Sequence, residues 1–316
     1  MYRSHFGLKE LPFQITPDTD FLYFSRASQE TLNVAMVALS FGEGFVKITG
    51  EVGTGKTLLC RKLLSMLGER NFVTAYLINP MMKPEDTYKA FAEEMGLASF
   101  DEAKGFQHFI KQITERLIEL KQQGKNVVLF VDEAQTLTDE TLEAIRLMTN
   151  LETEKQKILQ VVLLGQPELD QRLENQYNLR QLRQRITFSS RLQPLDALEI
   201  RNYLNHRLQI AGHQGKDLFT PRAMQRLHRH SGGIPRLINI LAHKSLMVAF
   251  GKGIHTVDVP HIAAAVADTE GLAAPGFRAK LQRWLPSLKF IRSKGPAAAV
   301  LLSAAAVHCQ AWSFLS

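Results

Sequence analysis

Cysteine is nearly absent from this chain of 316 residues: Cys60 and Cys309 stand far apart and in no metal-ligand spacing. That excludes a disulfide-stapled scaffold and a cysteine-held zinc site, and it points to a reducing compartment. The opening Met-Tyr-Arg-Ser-His-Phe-Gly has no apolar core of signal-peptide length, so the body is expected in the cytosol. No internal repeat is visible, and biased composition is confined to an Ala-rich end. A run of about 20 apolar residues, the length a spanning helix needs, is also lacking. The nearest approach is AAAVLLSAAAV within 296–316, eleven residues of mostly small side chains.

Acidic residues are missing altogether from 271 onward, where Arg278, Lys280, Arg283, Lys289, Arg292 and Lys294 supply six of the formal net charge of +7. Residues 1–270 are therefore close to neutral, and a basic field spread over the body, as nucleic-acid binding would use, is not what raises the charge. Six basic residues ahead of a short apolar stretch fit membrane association of 278–316, with the body kept on the cytoplasmic side. A surface-bound amphipathic segment and a disordered end remain alternatives there.

With 45% hydrophobic and 22% charged residues, the rest reads as an ordinary folded protein, long enough for one large and one smaller domain. Residues 1–25 are rich in aromatics and proline and read as a packed but irregular lead-in. Helical spacing follows at 25–41. Short apolar runs at 44–49, 72–78, 127–131, 158–164 and 186–190 read as buried strands. Between them lie helices at 56–67, after Pro84, at about 101–123, and from the cap Thr138 to 151. This alternation predicts an α/β class with a parallel sheet covered on both faces. After Pro194 only helices are expected, at 197–211, 221–230, 235–250 and 259–267. The expected division is an α/β domain at 1–195, a helical domain at 196–270, and a basic linker with an apolar tail at 271–316.

The chemistry is concentrated in two places. Gly50, Glu51, Val52, Gly53, Thr54, Gly55, Lys56 and Thr57 match G-x-x-x-x-G-K-[ST] in full, with a strand before and a helix, opening through Leu58, after. Glycines let the backbone amides turn inward around phosphates, and the helix N-terminus adds its dipole to the same anion. Lys56 is expected to reach the β- and γ-phosphates of ATP, and Thr57 to offer its hydroxyl to Mg²⁺. About 75 residues on, the strand at 127–131 ends in Asp132-Glu133. Asp132 is expected to hold Mg²⁺, and Glu133 to polarise the attacking water as general base.

These blocks resemble the AAA+ class of P-loop NTPases, which implies a three-layer αβα domain with a parallel five-stranded sheet, followed by a small all-α lid. By the same resemblance Gln166, after the strand at 158–164, matches the polar sensor beside the γ-phosphate. Arg183 and Arg185, in a basic cluster with Arg180, match the finger that enters a neighbouring subunit's site, so a homo-oligomer is implied. Arg236 in GGIPRLINIL matches the second sensor, an arginine reaching back to the phosphates.

MYRSHFGLKELPFQITPDTDFLYFS, GFVKITGEVGTGKT, LFVDEAQTL, LLGQPEL, LRQRI and GGIPRLINILAHKSL together resemble the general secretion pathway protein A family, over 1 to about 268. Its pilus-biogenesis branch is the nearer match. The resemblance implies an ATPase that supports assembly of a type IV (MSHA-type) pilus or a type II secretion system at the inner membrane. Its partner would be an inner-membrane assembly protein. The competing expectation is a DNA-binding AAA+ ATPase of the transposition target-selection or initiator type, supported by Arg222, Arg226, His228, Arg229 and His230 on one segment. The neutral body argues against nucleic acid.

Overall fold

Five apolar runs become strands β1 (Phe45–Gly50), β2 (Phe72–Leu77), β3 (Asn126–Val131), β4 (Leu159–Gly165) and β5 (Ile186–Leu192). In this computed structural model they form one parallel sheet in the order β2-β3-β4-β1-β5. The structure describes residues 2–269 except 17, 19, 78–81, 98–102, 104, 151 and 154–155. The expected tail at 271–316, with the membrane association assigned to 278–316, lies outside the described residues. Among those described, no helix is long and apolar enough to cross a membrane.

Successive side chains of a strand point to opposite faces, so a strand buried on both must be apolar throughout. On β3, Val127, Leu129 and Val131 enter one core with Val161 and Leu163 of β4. That core is closed by helices α3 (Pro84–Glu94), α4 (Gly105–Gln122) and α5 (Asp139–Met148), which contribute Phe91, Ile113, Leu117 and Ile145. Val128 and Phe130 enter the opposite core with Ile48 of β1 and Leu164 of β4. Helices α1 (Arg26–Ser40) and α2 (Lys56–Gly68) close it with Leu32, Leu39, Leu59 and Leu63. Each such fully buried side chain contributes roughly 1.5–3 kcal/mol.

Local signals fix the helix ends. Ser25 caps α1 by accepting from the Ser28 N–H, and Thr138 caps α5 by accepting from Thr141, each worth about 1 kcal/mol. The helix expected to reach 151 stops at Met148 instead. Thr149 ends it, its hydroxyl donating to the Arg146 carbonyl at 2.7 Å, and a two-residue antiparallel ladder, Glu152–Thr153 with Gln156–Lys157, follows. Two short helices, α6 (Pro167–Asn175) and α7 (Arg180–Arg185), were not expected from the sequence.

Beyond β5 come α8 (Glu199–Ile210), α9 (Pro221–Ser231), α10 (Pro235–Gly251) and α11 (Val259–Ala267). Residues up to Ala265 form one compact unit that includes the sheet and helices α1–α10. The aromatic lead-in threads between them. Arg207 on α8 donates to the carbonyls of Pro12 and Phe21, Tyr2 meets His243, and His255 bonds the His5 carbonyl.

Candidate functional site

The glycine-rich segment leaves the C-terminal end of β1 and enters α2. Gly53 and Gly55 adopt φ of 85° and 100°, a region nearly closed to other residues, and this turns the loop around a cradle. Lys56 is 6% exposed, and its ammonium donates to the carbonyls of Gly50 at 2.8 Å and Glu51 at 3.1 Å. Burial lowers its pKa, while the nearby carboxylates of Glu133, Asp132, Glu51 and Glu168 pull the other way. Among the described residues it has no ion-pair partner. A buried cation over a glycine cradle fits a phosphate chain as its counter-charge.

At the end of β3 the Asp132 carboxylate meets the loop. Its Oδ2 accepts from the Thr57 hydroxyl at 3.1 Å and from Tyr76 at 3.0 Å, while Oδ1 accepts from the Glu133 N–H at 2.9 Å. A hydroxyl and a carboxylate oxygen at that spacing suit a hard divalent cation such as Mg²⁺. Burial and the neighbouring Asp132 charge push the Tyr76 phenol well above its ordinary value, so it stays a donor.

Glu133 has φ of 51°, the sole positive value outside glycine among the described residues, and such strain persists only where surroundings over-determine it. Burial raises the Glu133 pKa, but bonds from the Gln135 and Gln166 amides and the Lys56 charge outweigh it, leaving the carboxyl below its usual range. β4 lies between β1 and β3, and so its tip delivers Gln166 beside the acid pair, with Nε2 donating to Glu133 Oε2 at 3.0 Å.

A cavity of about 500 Å³ opens over this group. Val52, Gly53, Gly55, Lys56, Thr57 and Leu58 form its floor, and Glu133 and Arg236 stand at its edge. The far wall comes from Gln14, Ile15, Thr16 and Asp18 of the lead-in and from Tyr203, Arg207 and Asn239 of the later helices. Asn239 ties this wall together, accepting from Tyr203 at 2.7 Å and donating to the Gln14 carbonyl at 3.4 Å.

The structure thus gathers residues 50–58 with Asp132, Glu133, Gln166 and Arg236. It does not bring Arg183 or Arg185 to them. Arg185 ends α7 just before β5 starts, at the opposite end of the parallel strands, where its guanidinium donates to Thr149 at 2.9 Å. Arg183 is exposed and lines a separate hollow with Tyr177 and Arg180. Sequence reasoning missed Tyr76, Gln135 and the lead-in wall. Only Gln135 left a trace, two positions after Glu133 in LFVDEAQTL.

A family model described as an AAA domain matches residues 39–173. Over 276 residues, 87% of the chain, the sequence is 44% identical to General secretion pathway protein A of Aeromonas hydrophila. The chain spans 50% of that curated relative's length. Among solved structures, a chain of Drosophila ORC bound to DNA is similar with a TM-score of 0.61 and 18% identity, over 85% of this chain and 66% of that one. The Thermotoga maritima RuvB Holliday junction branch migration motor is similar with a TM-score of 0.53 and 15% identity, over 87% and 79%. At these identities the likeness carries the fold, and it agrees with the parallel five-stranded sheet followed by helices. The chain thus carries an AAA domain at residues 39–173 and is related in sequence to General secretion pathway protein A.

Proposed function

We propose that the chain hydrolyses Mg·ATP to support assembly of an envelope machine, a type IV (MSHA-type) pilus or a type II secretion system, at the inner membrane. The 44% identity to General secretion pathway protein A supports the pathway. The resemblance of its sequence blocks to MSHA pilus biogenesis protein M favours the pilus branch. The observation that carries the chemistry is the presence of Thr57 and Glu133 in the cavity lining, with the Thr57 hydroxyl 3.1 Å from Asp132.

In this reading the amides of residues 50–58 and the Lys56 ammonium bind the phosphate chain. Thr57 and Asp132 would hold Mg²⁺, which when bound neutralises phosphate charge. Glu133, kept ionised, takes a proton from water as the water oxygen attacks the γ-phosphorus. The bond between that phosphorus and the β–γ bridging oxygen breaks, and ADP leaves with the electron pair. Gln166 orients Glu133, and Arg236 faces the phosphates from α10. The helices after residue 195 act as a lid over the cavity.

Arg183 and Arg185, set away from their own cavity, are suited to a neighbouring subunit, so the working form is a homo-oligomer with an inner-membrane assembly partner. The segment 278–316 associates with the membrane. The basic run on α9, from Arg222 to His230, favours the second reading, a DNA-dependent ATPase. Burial and the adjacent Arg226 and Arg229 charges keep His230 below its ordinary pKa.

The test is the ATPase rate per subunit of the full chain against protein concentration, with and without duplex DNA. A rate that climbs with concentration and ignores DNA is expected. Strong stimulation by DNA would overturn the envelope reading. Arg183→Ala and Arg185→Ala variants both hydrolysing at the parent rate would remove the finger from α7.

A further inference from the structure

Gln135 lies two residues past Glu133, and the reaction outlined above gives it no part. Its side chain nevertheless closes a ring with the two groups that matter most for hydrolysis. Gln135 Nε2 donates to Glu133 Oε2 at 2.6 Å, and Gln166 Nε2 donates to the same oxygen at 3.0 Å. Gln135 Oε1 accepts from the backbone N–H of Gln166 at 3.0 Å. Both ends of the amide are thereby used. A flipped amide would set its NH₂ against an N–H and its oxygen against a carboxylate, so the ring admits one orientation only.

The ring is braced from behind. Arg172 on α6 donates to the carbonyls of Gln135 and Leu137, both at 2.8 Å, and pairs with Asp139. On the same helix Asp170 accepts from Lys47 and Thr49 of β1, fixing α6 against the strand that feeds the phosphate loop. Gly165 lets the tip of β4 come this near, since a Cβ there would lie 3.2 Å from Gln135 Oε1 and 2.9 Å from Leu169 Cδ2. The strained backbone of Glu133 is held by Thr136, whose N–H and hydroxyl bond the Glu133 carbonyl at 2.9 and 2.7 Å. Among the described residues Glu133 Oε1 accepts no hydrogen bond. Two donors on Oε2 fix the plane of the carboxylate and leave the lone pairs of Oε1 unused.

We propose that Gln135 is a positioning residue for hydrolysis, fixing the rotamer of Glu133 and coupling it to the main chain of Gln166 at the tip of β4. The base is then set only while that tip is in register with it. A shift of Gln166 by a fraction of the 3.0 Å contact is passed through the Gln135 amide to the carboxylate. This rests on the reading of Glu133 as general base. A glutamine that merely stabilises the turn would serve equally well with any isosteric acceptor, and that difference makes the role testable. Gln135→Glu keeps the size and the acceptor for the Gln166 N–H, but it replaces the donor to Glu133 with a second anion.

The experiment is steady-state Mg·ATP hydrolysis by the full chain at neutral pH, with kcat and KM resolved. It compares the parent with Glu133→Gln, Gln135→Glu, Gln135→Leu and the Gln135→Glu/Glu133→Gln double variant. For Gln135→Glu, kcat is expected to fall about tenfold or more, with KM changing less than about twofold. Gln135→Leu is expected to lower kcat by a smaller factor. In the Glu133→Gln background Gln135→Glu should change nothing further, because the two act through one group. A Gln135→Glu kcat equal to the parent's, a loss expressed in KM, or a further loss in the double variant would each overturn the proposal. Failure of Gln135→Leu to fold does not touch the isosteric comparison. Parent-like hydrolysis by Glu133→Gln would take down the general-base reading as well. An inert Gln135→Glu beside an inactive Glu133→Gln takes down this inference alone.

Discussion

A side chain on Gly53 would collide with Arg236: an ideal Cβ there lies 2.7 Å from Arg236 Cβ, and the Arg236 N–H donates to the Gly53 carbonyl at 3.2 Å. The glycine-rich loop and the first turn of α10 touch main chain to main chain. Any movement of α10 is therefore felt by the loop, and a residue far along the chain restricts what can stand at position 53.

Gly53→Ala combines this collision with a φ of 85°, and it is expected to destabilise the protein by about 1–3 kcal/mol. Denaturant unfolding should show a lower midpoint at unchanged slope. Weaker binding of a fluorescent ATP analogue should accompany it.

Lys56→Ala removes the buried cation of the glycine-rich loop. Because burial already disfavours the charged form of Lys56, the ligand-free protein should melt no earlier than the parent. What the variant should lose is the rise in melting temperature that Mg·ATP gives the parent, which scales with occupancy of the site. Thermal scans with and without nucleotide check both halves.

Tyr76→Phe deletes one of the two side-chain donors to Asp132 Oδ2. Partners that orient a metal-holding carboxylate are typically worth about 10–100-fold in metal affinity, so the Mg²⁺ midpoint for hydrolysis should rise by about tenfold or more. Nucleotide binding in the absence of Mg²⁺ should be unchanged.

The depressed pKa of Glu133 makes a statement about acid stability. A carboxyl whose folded value lies below its unfolded one stabilises the fold above the unfolded value, and this stabilisation is lost as pH falls through the folded value. Unfolding midpoints of parent and Glu133→Gln should accordingly differ by a constant amount at neutral pH. They should converge only below the ordinary glutamate range near about 4.3.

Much of the site was legible because its residues are adjacent in sequence. Positions 50–57 form one contiguous motif, and Asp132-Glu133 follow a continuous apolar run of the kind expected for a buried parallel strand. Tyr76 carries no such mark. It is one aromatic residue in a β-rich run, and it matters only because β2 pairs with β3 in a register that sets Tyr76 against Phe130. The lead-in wall was illegible for the same reason, since Gln14 and Asn239 meet only through the tertiary fold. α6 escaped notice because Leu169 and Leu173 are its only buried residues, too few for a periodic signal in nine positions. The end of α5 was misjudged because the apolar pattern runs on, whereas a threonine bond to the preceding turn stops the helix.

The clasp on the lead-in carries a kinetic consequence. Pro12 waits for Arg207, Tyr2 for His243 and the His5 carbonyl for His255, pairs separated by 195, 241 and 250 residues. Contacts between such distant positions form late, after loop closure has been met by other gains. During synthesis the phosphate loop and the acid pair leave the ribosome well before α10 does. On the function proposed above, a nascent chain released as far as β5 holds the reacting residues but only part of the wall, and secure retention of a nucleotide begins when the last helices arrive to shut it in.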